Sequence, residues 1–162
     1  MDEIVLRAQA KWPDVPDVYG WLTLDRRGQW LLRNPARQSD EPIGNAALHE
    51  FIARNYSCDS RGRWFFQNGP QRVFVRLAYT PWVVRTHDAK FVDQCGGVFE
   101  GAGAMLDNEG SVLVLGGGRV ALLDDRDLAA YADASHEALE ALPRIESRDV
   151  AGRFGFVPDP RP

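Results

Sequence analysis

Arginine interleaved with aromatic side chains is the chemistry this sequence offers. Along Arg72-Val73-Phe74-Val75-Arg76-Leu77 the alternation of a strand places Val73, Val75 and Leu77 on one face. Arg72, Phe74 and Arg76 share the other. Trp64 stands shortly before this run, and Trp82 and Arg85 shortly after it. Guanidinium forks beside aromatic faces suit a planar anionic ligand such as a nucleotide, the forks contacting phosphate and a ring stacking on the base. Trp64, Phe74, Arg72, Arg76, Trp82 and Arg85 are therefore the candidate ligand-binding residues. A competing reading makes the aromatics core and the arginines a solvated sheet face. Phe74 between two arginines is what that reading explains least well.

Other reactive residue types lack a supporting pattern. His49, His87 and His136 fall into no HxxxH or HxH spacing, and Cys58 and Cys95 into no CxxC. An enzyme would have to draw on Cys95 with His87 and Asp88, eight and seven residues away, against the simpler reading of Cys95 as a small semi-buried side chain. Asp124-Asp125-Arg126-Asp127 precedes an apolar helical pattern, which reads as a cap rather than a metal cluster. Gly116-Gly117-Gly118 lies between two strand-like runs and reads as a hairpin turn, not a phosphate cradle. No catalytic residue, metal site or cofactor is assigned.

The totals narrow the partners. Across 162 residues, 44% hydrophobic content and five Trp supply a buried interior. The net charge is −4, and Lys11 and Lys90 are the only lysines among the basic residues. Without a basic block a nucleic-acid polymer is not expected. No apolar run approaches the roughly 20 residues that cross a bilayer, and residues 1–10 do not read as a signal peptide, so a soluble, cytoplasmic protein is expected. The expected partner is a small anionic or nucleotide-like ligand, with a protein partner or a second copy of the chain as the alternative. That alternative, a protein-interaction module, rests on the strand at Pro81-Trp82 and the Pro-rich tail with Phe154 and Phe156.

What must position these residues is announced by a turn used three times. It reads Asp25-Arg-Arg-Gly28, Asp59-Ser-Arg-Gly62 and Asp107-Asn-Glu-Gly110, each between strand formers. The Asp accepts hydrogen bonds from its own turn, and the Gly supplies a positive φ. Helices are expected after the N-cap Asn45 (Leu48, Phe51, Ile52) and after Asp125 (Leu128, Tyr131, Ala132), the latter running to about Leu142. Residues 33–42 read as a surface loop. The fold class is α+β, with duplicated β-hairpin-plus-helix units around a mainly antiparallel sheet. The first and third turns are taken to mark the duplication. Four segments follow: 1–85, an N-terminal α+β half; 86–103, a Gly-rich, irregular seam; 104–143, a C-terminal α+β half; and 144–162, a tail.

From Tyr19 to Arg85 the chain resembles an uncharacterised bacterial family of unknown function. The likeness is carried by Gly20-Trp21-Leu22-x-Leu24-Asp25, by Asn55-Tyr56-x-Cys58-Asp59-x-Arg61-Gly62-Arg63-Trp64-Phe65-Phe66-Gln67-Asn68-Gly69-Pro70, and by Tyr79-Thr80-Pro81. More distantly it is similar to a second unknown-function family through Gly28, Trp30, Pro42, Ile43, Gly44, Leu48, Phe51, Pro81 and Trp82. That resemblance implies domain duplication, a C-terminal half like pleckstrin-homology folds, and a ligand site between the halves for a nucleotide-like molecule in signalling. Gln71-Arg72 and Tyr79 stand where the second family carries acids.

Overall fold

The computed structural model describes residues 1–134 and 139–162. It divides into two compact units. The first comprises Met1–Asp25, Gln29–Ala78 and Phe156–Pro162; the second comprises Arg26–Gly28 and Tyr79–Gly155. The class is α+β, and the strands form two mixed, mostly antiparallel sheets rather than the single sheet expected.

The first unit runs α1 (Glu3–Lys11), β1 (Val18–Leu24), β2 (Trp30–Asn34), β3 (Ser39–Pro42), α2 (Ala46–Arg54), β4 (Tyr56–Cys58), β5 (Trp64–Asn68) and β6 (Gln71–Leu77). Its six-stranded sheet has the order β3-β2-β1-β6-β5-β4. Helix α2 begins where expected, because the Asn45 side chain accepts the Leu48 amide at 3.0 Å. Leu22, Leu24, Trp30, Ile52, Phe74, Val75 and Leu77 are all buried. Each such side chain contributes on the order of 1.5–3 kcal/mol by leaving water.

The second unit runs β7 (Trp82–His87), β8 (Lys90–Asp93), β9 (Val98–Phe99), β10 (Gly103–Asp107), β11 (Val112–Gly116), β12 (Arg119–Leu123), α3 (Leu128–Ala134), β13 (Arg144–Ile145) and α4 (Val150–Phe154). Its sheet has the order β13-β10-β11-β12-β7-β8-β9. Val84, Phe99, Val112, Val114, Ala121 and Leu123 form its core. The Asp124 side chain caps the following turn by accepting the Arg126 amide at 3.0 Å, the capping role expected of that acidic run. Residues 135–138, with His136 and part of the helix expected to reach Leu142, lie outside the described residues; Leu139–Ala141 form a 3-10 turn.

Both sheets repeat one wiring. In the first unit the antiparallel meanders β1-β2-β3 and β4-β5-β6 are joined by parallel pairing of β1 with β6, Leu24 opposite Leu77. In the second, β7-β8-β9 and β10-β11-β12 are joined by parallel pairing of β7 with β12, Val83 opposite Leu122. The duplication therefore equates β4-β5 with β10-β11, so the Asp59 and Asp107 turns correspond. The Asp25 turn corresponds to the β7-β8 connection instead. This corrects the pairing of the first and third turns. Their matching helices misled: α2 links the two meanders of its unit, whereas α3 follows the last strand of its second meander.

Two further expectations change. Residues 86–103 are not irregular, because β8 and β9 occupy them and a fourth turn, Asp93-Gln-Cys-Gly96, joins the two. The Asp93 carboxylate accepts the amides of Cys95 and Gly97, both at 2.9 Å, as Asp107 accepts Glu109 and Ser111. Residues 39–42 form the edge strand β3, held by backbone pairing to β2 and by Arg33 and Arg76 on Asp40. The tail is ordered: 144–155 carry β13 and α4, and Val157 pairs with Arg63 in the first unit.

Candidate functional site

The expected ligand residues divide between the units. In the first, Arg76 is ion-paired with Asp40, and the Arg72 guanidinium lies 4.8 Å from the centre of the Phe65 ring. Phe74 is core, 1% exposed, stacked on Tyr19 at 4.7 Å with Arg63 above it. Trp64 is half-buried against Tyr56. In the second unit, Trp82 packs on the core cluster with the Arg119 guanidinium over its ring. Arg85 grips Asp127 with both ends of its fork, at 2.7 and 3.2 Å, and the Thr86 amide donates to the same carboxylate. Arg76 and Arg85 thus already face carboxylates.

The thiol and imidazole named for an enzyme are held apart in chemistry. Burial, with the Asp93 charge, pushes the Cys95 thiol up to about 12, so it stays protonated at neutral pH. His87 is exposed beside Asp88 at 3.5 Å and lines a cavity of about 430 Å³ with Arg85, Val83 and Val92. No hydrogen bond joins His87 to Cys95 among the described residues. Nor, among them, does any group of three or more His, Cys, Asp or Glu side chains gather as a metal would require. No helix among them is long and apolar enough to cross a membrane.

A different arginine has the geometry of an anion receptor. The second unit holds a cavity of about 450 Å³ whose floor is Val112, Leu122, Leu123 and Leu128. Strands β11 and β12 supply the first three of these, each at most 3% exposed. Arg26 and Arg27, from the turn that opens with Asp25, line the polar side with Glu109, Ser111 and Asp125. The Arg26 guanidinium lies 4.5 Å from the centre of the Tyr79 ring and donates one hydrogen bond to the Ser111 hydroxyl at 2.8 Å. No carboxylate pairs with it among the described residues. Arg27 differs: its Nε and Nη2 meet the two oxygens of Asp125 at 3.1 and 2.8 Å.

The layer beneath is fixed by charge. The Tyr79 hydroxyl donates to Asp107 Oδ2 at 2.7 Å, while Asp107 Oδ1 takes the turn amides. Burial alone would raise the Asp107 carboxyl, but the bonds from Tyr79, Ser111 and Glu109 outweigh it and hold the group below the ordinary range. Burial and that same bond push the Tyr79 phenol well up. Glu109 is engaged by the Ser147 hydroxyl at 2.8 Å. Arg26 was visible in the sequence as one of two consecutive turn arginines. Its significance was not, because Tyr79 and Ser111 lie far along the chain.

The first unit carries an apolar groove of about 430 Å³ between its sheet and α2. Leu22, Leu48, Ile52, Phe66 and Val73 line it, with half-exposed Trp21 and Leu32 at the mouth.

Comparison with known proteins gives a family and a fold. Residues 1–161 match the family described as "Protein of unknown function (DUF2946)". No curated protein matches. The chain is similar in structure to a DUF1285 family protein from Silicibacter pomeroyi DSS-3, with a TM-score of 0.51 and 17% identity, over 82% of this chain and 84% of that one. A DUF1285 family protein from Shewanella baltica OS155 aligns with a TM-score of 0.45 and 14% identity, over 69% and 90% of the respective chains.

Proposed function

The chain belongs to this family of proteins of unknown function (DUF2946), and within it we propose a module that binds a small anionic ligand in the cavity of its second unit. The observation that carries the reading is Arg26. A guanidinium supported from below by a ring, with one donor on a hydroxyl and no carboxylate partner among the described residues, has donors ready for an anion. The apolar floor of Val112, Leu122, Leu123 and Leu128 receives the ligand's uncharged body. Binding rather than turnover is the proposed activity, because among the described residues no nucleophile lines this cavity with a general base hydrogen-bonded to it. A regulatory, signalling role belongs to the same proposal and is supported by the resemblance at Gly28, Trp30 and Pro81-Trp82.

Octanoate, an anion with an aliphatic body, is the probe, titrated calorimetrically into the wild-type chain and into Arg26→Ala. Loss of a charge-assisted hydrogen bond, worth about 1.5–3 kcal/mol, should weaken binding on the order of ten- to a hundredfold. Equal affinity in the two proteins would dispose of the site.

Of the aromatics that motivated the protein-interaction alternative, Trp82 packs on the core and Phe156 is buried, while Phe154 stays partly exposed. The alternative retains Trp21, 51% exposed at the mouth of the first unit's groove. Trp21→Ser leaving the oligomeric state and partner capture unchanged would remove it.

A further inference from the structure

Two neighbouring arginines of one turn are treated in opposite ways. The Arg26 fork meets a ring and a hydroxyl, neither of which carries formal charge. The Arg27 fork is filled by both oxygens of Asp125, a bidentate pairing that fixes its direction as well as its charge. The charged groups lining the cavity are Arg26, Arg27, Glu109 and Asp125, two of each sign. The buried Asp124 nearby is matched by Arg126, whose Nε donates to it at 2.8 Å.

From this arrangement, and resting on the anion-site reading above, we infer that the cavity takes an amphipathic anion of single charge, an aliphatic carboxylate, and that Asp125 sets this selectivity by occupying Arg27. A monoanion finds one open cation. A phosphomonoester carries nearly two charges above its second pKa of about 6. Its second charge would meet an arginine already neutralised, with Asp125 and Glu109 adding like-charge repulsion. Asn at position 125 is uncharged and offers a single acceptor oxygen, so the charge of Arg27 is no longer cancelled by the group that faces its fork. Two adjacent arginines then form a site for a dianion.

The test is calorimetry on the full chain with octanoate and octyl phosphate, at a pH above the second phosphate pKa. Wild type should prefer octanoate. Asp125→Asn should shift the affinity ratio toward octyl phosphate by roughly tenfold or more, the scale of one newly available close charge pair with Arg27. Glu109→Gln removes the same charge from the same cavity without releasing Arg27, and should move the ratio far less. Adding Arg27→Ala to Asp125→Asn should cancel the gain. A ratio unmoved by Asp125→Asn, an equal shift in Glu109→Gln, or a gain that survives loss of Arg27 overturns the inference while octanoate still binds through Arg26. If octanoate does not bind wild type, or binds Arg26→Ala as well, the anion-site reading itself has failed. Asp125 is exposed, so the variant is expected to unfold near the wild-type temperature, which a melting curve checks.

Discussion

Tyr79 lies beneath Arg26 with its ring 4.5 Å from the guanidinium, and its own hydroxyl is anchored on Asp107 at 2.7 Å. The exposed cation is thus oriented by a carboxylate it never touches. A ring free to rotate would hold the guanidinium less well, so position and stability are linked through one side chain.

Tyr79→Phe keeps the ring and leaves Asp107 Oδ2 without its donor. The expected loss is about 1–3 kcal/mol of stability, the cost of an unanswered buried acceptor. Tyr79→Leu also removes the stack, a further 0.5–2 kcal/mol or so. Urea denaturation of both variants separates the two contributions, and octanoate affinity should fall more in Tyr79→Leu than in Tyr79→Phe.

Acid should act through Asp124. Burial opposes its charge, yet the bonds from Arg126 win and hold the carboxyl down to about 2. Its unfolded-state value is about 3.9. A depressed folded value means the contribution to stability is fully present above that figure and is lost as pH falls from about 4 toward about 2. Asp124→Asn should flatten this part of a stability-against-pH curve measured by denaturant titration. An unchanged slope would show that the other carboxylates held low by their partners, Asp2, Asp59, Asp107 and Asp127, carry the acid response instead.

Glycine at the turns should differ in cost by position. Gly28 and Gly110 both have positive φ, 73° and 85°. A Cβ at Gly28 would also approach Gln94 Cβ to 3.0 Å and Val83 Cβ to 3.5 Å, whereas one at Gly110 meets nothing within 4 Å. Gly110→Ala should cost about 1–2 kcal/mol from backbone strain alone. Gly28→Ala should exceed it in the same thermal melts.

The two thiols should separate under alkylation. Cys58 is exposed, and Cys95 is held protonated by burial. Mass spectrometry of the native protein treated with iodoacetamide at neutral pH should find Cys58 modified first. Equal rates would mean that the turn holding Cys95 opens on the timescale of the reaction.

Legibility from sequence followed the distance over which each interaction acts. The caps at Asn45 and Asp124 were readable because donor and acceptor lie within three residues of each other. Strand β3 was not, since Ser39, Asp40 and Glu41 have poor strand propensity and owe their conformation to pairing with β2. The Asp-x-x-Gly spacing announced hairpins correctly but carried no information about which strands would pair in parallel. That pairing sets the true equivalence of Asp59 with Asp107. Alternation put Phe74 beside Arg72 and Arg76, yet the ring is covered by Tyr19 from far upstream. The same limit hid Arg26.

The seven residues Phe156–Pro162 belong to the first unit, tied there by Val157 N to Gly62 O at 2.9 Å and Leu77 N to Pro158 O at 2.8 Å. A ribosome therefore finishes every residue of the second unit before it supplies the piece that completes the first. During synthesis the order of completion is reversed relative to the order of translation, and the first unit must wait, with Gly62 and Leu77 unsatisfied, for a segment made after its neighbour.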